Sequence, residues 1–153
     1  MAITQTITNS FKTDVLSGGM NFSTSNRALT ASTQDVFKIA LYTSLASLDA
    51  TTTAYTTLNE VANGNGYTTG GLTLTVTQVP TTGGSPTTTA YINFANAVWT
   101  PATFSAAGAL IYNSSNANRS VAILSFGATK TAAGTFTVQF PPAGVGSSII
   151  QIA

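Results

Sequence analysis

The sequence contains no cysteine and no histidine. Without cysteine there is no disulfide framework, and the softer metals lose their main ligands. Without histidine the commonest general base is gone, and with it the usual nucleophile triad and most catalytic zinc sites. Charge is scarce as well. Only 6% of residues are charged, five basic against four acidic, where an ordinary soluble domain carries roughly 25%. The basic residues Lys12, Arg27, Lys38, Arg119 and Lys130 stand singly. They make no footprint for a phosphate backbone or an anionic membrane, so neither nucleic acid nor membrane is an expected partner. No run approaches the roughly eighteen apolar residues of a membrane-spanning helix. The first five residues lack the basic and apolar regions of a signal peptide, so none is expected. The strands of a membrane barrel would alternate as this chain does. Such a barrel carries aromatic girdles and a polar lumen, and the sequence supplies little of either.

The remaining chemistry is thin. Four carboxylates are present, Asp14, Asp35, Asp49 and Glu60. Glycoside hydrolysis needs only two across a sugar, but no pair here falls within one local motif. Gly64-Asn65-Gly66-Tyr67-Thr68-Thr69-Gly70-Gly71 has the look of a phosphate loop. It has no lysine, and an alternating strand follows where a helix is required, so it reads as a turn. No serine–lysine motif is present. The expectation is a protein without enzymatic activity, with no catalytic residues, no cofactor and no metal.

What is abundant is threonine, with serine, asparagine and glutamine beside it. Hydroxyl and amide groups are cheaper to desolvate than ions, so a surface built from them suits permanent contacts with neighbours. A Thr-rich secreted β domain that tolerates low charge is the plainer alternative.

The dominant periodicity is two. Phe37, Ile39 and Leu41 alternate with Lys38, Ala40 and Tyr42; Leu72, Leu74 and Val76 with Thr73, Thr75 and Thr77; Phe136, Val138 and Phe140 with Thr135, Thr137 and Gln139. Residues 121–126 and 109–112 are apolar on both faces, as central strands are. Shorter strands are expected at 90–94, 97–99 and 148–152. Turn chemistry separates them at Asn63-Gly64-Asn65-Gly66, over residues 80–86 with a proline at each end, and at 113–118. Pro141-Pro142 ends the strand before it. The 153 residues suit one domain. The predicted architecture is all-β: a single-domain antiparallel β-sandwich, jelly-roll-like, with its core over 35–153. It is preceded by an extended polar arm (1–9) and a short helix (10–18) capped by Ser10 and stopped by Gly18-Gly19. The arm is expected to be mobile in isolation and ordered in an assembly.

A few apolar side chains fall outside the strongest strands. Ile3, Phe11, Met20 and Phe22 form a candidate partner interface that docks either on the domain's own flank or on a neighbour. Trp99 could anchor a partner, since tryptophan is enriched at hot spots, but a lone tryptophan in an all-β domain usually fills the core. Tyr55, Tyr67 and Tyr91 could line a sugar site; cross-strand packing explains them equally well.

Several of these segments resemble a family of small virion structural proteins of tailed bacteriophages. They are Val36-Phe37-Lys38-Ile39-Ala40-Leu41-Tyr42-Thr43-Ser44, Tyr55-Thr56-Thr57, Glu60-Val61, Gly66-Tyr67 with Gly70-Gly71, Ala109-Leu110-Ile111-Tyr112-Asn113, and Gly134-Thr135-Phe136-Thr137-Val138-Gln139-Phe140-Pro141. Ser10-Phe11-Lys12 fits the family's helical start. In order, the pieces cover most of the chain from about residue 11. The resemblance implies a virion component, assembled in the host cytoplasm. A capsid decoration (cement) protein is the first expectation, partnered by the major capsid protein and by its own copies, as a trimer or another cyclic oligomer. A neck, tail or baseplate component, or a receptor- or carbohydrate-binding fibre module, is the alternative.

Overall fold

The computed structural model describes residues 2–23, 34–84 and 88–153; Arg27 and Pro86 of the sequence reading lie outside them. The described chain is mostly β-strand, in antiparallel sheets, with one short helix. In chain order the elements are β1 (Thr6–Ile7), α1 (Asn9–Leu16), β2 (Phe37–Tyr42), β3 (Leu72–Leu74), β4 (Val76–Gly83), β5 (Thr89–Phe94), β6 (Ala97–Ala102), β7 (Ser105–Asn113), β8 (Arg119–Thr131), β9 (Gly134–Val138) and β10 (Ile150–Ile152). They make a five-stranded sheet of order β1-β8-β7-β2-β3, a three-stranded sheet β10-β5-β4 and a two-stranded sheet β6-β9.

The five-stranded sheet is built on two long pairings. β2 runs in unbroken register with β7, from Phe37 opposite Asn113 to Tyr42 opposite Gly108. β7 and β8 form a hairpin whose connection places Ala117 and Asn118 at φ 47° and 55°, the left-handed backbone that tight hairpin turns use. One face of this sheet contributes Phe37, Ile39, Leu41, Ala109, Ile111 and Val121 to the main core, where Ile92, Phe94, Trp99, Phe136 and Val138 meet them from the smaller sheets. The opposite face buries Ala40, Tyr42, Leu110, Tyr112 and Ile123 under Ala46, Leu48, Tyr55 and Ile3. A sheet covered on both faces explains why residues 109–112 and 121–126 are apolar without alternation. β9 has one wet face, and its alternation survives: Phe136 and Val138 are buried, Thr135 and Thr137 exposed.

Four expectations need correction. A turn is expected over residues 80–86, but Pro80 to Gly83 continue β4; the turn begins at Gly84, and residues 85–86 lie outside the described residues. β4 is an edge strand, and its register with β5 shifts on both sides of Gln78, before Thr81; proline is tolerated at such an edge because the missing donor would have faced away from the ladder. The alternating run over 72–76 is not one strand: the chain leaves the five-stranded sheet after Leu74 and enters the three-stranded sheet at Val76. The helix cap is Thr8, whose hydroxyl accepts from the Phe11 N–H at 3.3 Å. Ser10 instead lies within the helix, its hydroxyl 2.8 Å from that of Ser120. The helix ends at Leu16, with Gly18 left-handed just beyond. The β9 strand stops at Val138, before the prolines, because the Phe140 N–H turns to the Asn96 side chain.

The N-terminal arm is extended, and it is docked. Thr6 and Ile7 pair with Ile123 and Ala122 of β8, and Ile3 bridges Leu48. α1 is held by a bidentate ion pair in which Arg119 donates to both Asp14 oxygens, at 2.8 and 3.0 Å.

Candidate functional site

A dense polar cluster surrounds Glu60. The segment from residue 43 to residue 71 lays Ala46, Leu48 and Tyr55 on the outer face of the five-stranded sheet, pairs with the end of β2 at Glu60 and sends Val61 and Tyr67 into the main core; Glu60 anchors it. One carboxylate oxygen accepts from the Tyr67 hydroxyl at 2.6 Å and the Gly70 N–H at 2.7 Å; the other accepts from the Tyr55 hydroxyl at 2.7 Å. Tyr67 in turn accepts the Leu41 N–H at 2.9 Å. Tyr112 donates to the Gly70 carbonyl at 2.8 Å, and Tyr42 to the Thr56 carbonyl at 2.6 Å. Tyr55 stacks on Tyr112 with ring centroids 4.6 Å apart. Four aromatic rings and one carboxylate thus clamp a long loop to the sheet beneath it.

This cluster holds the loop in place. Burial, with Glu60 nearby, pushes the Tyr112 hydroxyl up to about 12. Burial raises Tyr42, Tyr55 and Tyr67 further, and the hydrogen bonds that Tyr55 and Tyr67 donate to Glu60 add to the effect. Tyrosines held this way stay protonated at neutral pH and act as donors. Each of them keeps its proton at pH values where the unfolded chain, with tyrosines near 10, has lost it. Their contribution to stability is therefore complete below about pH 10 and is lost as pH rises through the folded values. Buried Tyr42, Tyr67 and Tyr112 each steepen the loss by up to about 1.4 kcal/mol per pH unit. In an alkaline titration, most of the tyrosinate absorbance is expected to appear together with the loss of far-ultraviolet circular dichroism. Tyrosinate formation well ahead of unfolding would contradict this account.

The other carboxylates also answer local structural demands. Asp14 is taken by Arg119. Asp35 accepts from the Asn21 N–H and the Asn113 side chain, both at 2.8 Å. Asp49 closes its own turn, and the Thr51 hydroxyl and N–H hold its carboxyl below the usual range. Among the described residues no group of three His, Cys, Asp or Glu could hold a metal ion.

The residues singled out from sequence fall into two groups. Phe11 and Phe22 are buried, 3% and 7% exposed. Phe22 stacks on Phe37 at 4.3 Å and meets Phe11 edge-on, so both belong to the domain's own core. Met20 and Ile3 are half-buried at its flank. Trp99 fills the core among Tyr67, Phe104 and Phe136. Tyr55 and Tyr67 are committed to Glu60, and Tyr91 is half-buried on β5.

The apolar groups that do reach solvent are others: Leu16 at 90% exposure, Leu58 at 72%, Leu45 at 61% and Ile152 at 54%. Leu45 and Leu58 sit on the clamped loop, joined where the Asn59 side chain donates to the Leu45 carbonyl at 3.1 Å. Leu16 and Ile152 flank one groove together with Ile7 and Val15. Leu58 stands between polar residues in the sequence, whereas Leu16 follows Val15 and Ile152 closes the run that begins at Ile149, so no shared sequence signal marks them. A cleft of about 590 Å³ lies elsewhere: it opens between β8 and β9, lined by Leu124, Phe126, Phe136, Val138 and Phe140.

Comparison with protein-family models, with curated proteins and with solved structures gives no match.

Proposed function

We propose that this chain is a non-enzymatic structural protein of a tailed-bacteriophage virion, a capsid decoration (cement) protein seated on the head against the major capsid protein. In this reading the five-stranded sheet and the smaller sheets are the two layers of a β-sandwich of jelly-roll type, and copies associate as a trimer or another cyclic oligomer. The observation that carries the reading is where polar chemistry is spent. The carboxylates are tied up in clamps and turns, while the surface offers few ions and several bare leucines. Such a surface loses little on desolvation and gains by covering its apolar groups. Many modest contacts of this kind, repeated over a shell, act by avidity.

The copy number of the chain in purified particles tests the proposal. Quantitative mass spectrometry against the major capsid protein should find it at a comparable number. A handful of copies would move it to the neck, tail or fibres, and absence from particles would undo the virion assignment.

A further inference from the structure

β8 and β9 are consecutive, separated only by Ala132 and Ala133, yet they do not pair. β8 pairs with β7 on one side; on the other, β1 covers only Ala122 and Ile123. Its edge from residue 124 to residue 131 has no backbone partner among the described residues. Among the described residues β9 pairs with β6 alone, and its second edge has no backbone partner. These two edges splay apart from the turn and form the walls of the 590 Å³ cleft.

The other sheet edges are blunted. β4 carries Pro80 and two register shifts, β6 carries Pro101 and a shift, and β3 and β10 are three residues each. Short strands, prolines and bulges are how proteins keep edges from recruiting strands. The β8 and β9 edges are longer than β3 and β10 and lack proline; Lys130 is their only charge, and their irregularity is one bulge in which residues 126–129 of β8, with left-handed Gly127 among them, stand opposite Ala107 of β7.

The chain also shows which kind of strand this edge takes. β1 adds to β8 with Thr6 opposite Ile123 and Ile7 opposite Ala122. The arm then departs toward Leu48, but Gln5 still lines the cleft. Carried on in the same register, Gln5 would face Leu124 and Ile3 would face Phe126, with side chains on the cleft side. The empty edge is thus the continuation of an interface already used for strand addition.

We propose that the β8–β9 cleft is a strand-acceptor site, filled in the assembly by an extended, uncharged polypeptide segment with apolar residues at alternate positions, donated by a neighbouring subunit. Backbone groups of the incoming strand would satisfy the two bare edges. Its alternate side chains would cover Leu124, Phe126 and Phe136, the general mode of strand addition. Lys130 at the rim disfavours a basic donor. The inference rests on the assembly reading and names the contact by which it would act.

The test uses the whole chain with a donor appended. A copy of residues 2–8 is fused after Ala153 through a Gly/Ser linker of about twelve residues. Its root-mean-square reach is about 19 Å, and the local concentration it sets is in the millimolar range. The expected result is at least a tenfold slowing of amide exchange at residues 124–130 and 134–139, abolished when Thr4 and Thr6 of the appended copy are replaced by proline. Unchanged exchange would overturn the proposal. So would equal slowing by the proline version, or slowing only at residues 122–123 with loss of protection at 2–7, which would mean exchange with the resident arm. The fusion is read on the isolated protein, so its failure is separable from absence of the chain in particles.

Discussion

Replacing Gly71 with alanine is expected to abolish the native fold. Gly71 has φ +69°, and a Cβ built on it would lie 1.8 Å from the Ile39 carbonyl oxygen and 2.8 Å from the Ala40 Cα. The obstacle is backbone, so no rotamer change relieves it. That backbone belongs to β2, registered along its whole length on β7 and opposite β3, which begins one residue after Gly71. Relief would require moving a central strand or tearing β3 from the sheet. A cost above about 4 kcal/mol follows, a large share of the 5–15 kcal/mol that holds a typical domain together. Soluble yield, far-ultraviolet circular dichroism and urea midpoint would measure it. Gly64→Ala is the matched control: φ is +112° there, but nothing lies within 4 Å of the added carbon. It should cost only backbone strain, about 1–2 kcal/mol. A Gly71→Ala protein as stable as that control would refute the close-approach explanation.

Glu60→Ala is the second substitution with a large expected effect. It removes the acceptor of three hydrogen bonds at 2.6–2.7 Å. It also leaves the Tyr67 hydroxyl, itself holding the buried Leu41 N–H, without its acceptor. Hydrogen bonds to a charged group contribute about 1.5–3 kcal/mol each when buried. With Glu60 half-buried, a total loss of about 3 kcal/mol is expected, which lowers the melting temperature of a chain this size by roughly 6–12 °C. Glu60→Gln keeps the shape but only one acceptor oxygen, and should fall between wild type and alanine. Tyr67→Phe strands the Leu41 N–H and should cost about 1–3 kcal/mol. If the cluster is one clamp, the Glu60→Ala and Tyr67→Phe losses are not additive, with a coupling above about 1 kcal/mol. Simple additivity would mean that the two residues act separately, and the clamp would be the wrong description.

Sequence by itself determined the things that depend on neighbours along the chain. Period-two runs at 37–42 and 136–138, asparagine and glycine in the turn at 63–66, and loop residues at 113–118 mark strands and turns, because pleat and φ preference are local properties. The scarcity of charge and the lack of cysteine and histidine are likewise visible in composition. The Glu60 cluster is not, because its tyrosines come from four separate stretches of chain and meet only after β2 and β7 pair and the 43–71 segment folds against them. Pro80 reads as a turn until β4 is known to be an edge, and Phe22 reads as a partner-interface candidate until Phe37 lies against it. Leu45 and Leu58 look like any other loop leucines until the fold leaves them bare. Which edges stay open, β8 beyond Ile123 and the outer side of β9, was decided by tertiary structure alone. Strand order is set by contacts between residues far apart in sequence, and periodicity carries no information about which strand a given edge will meet.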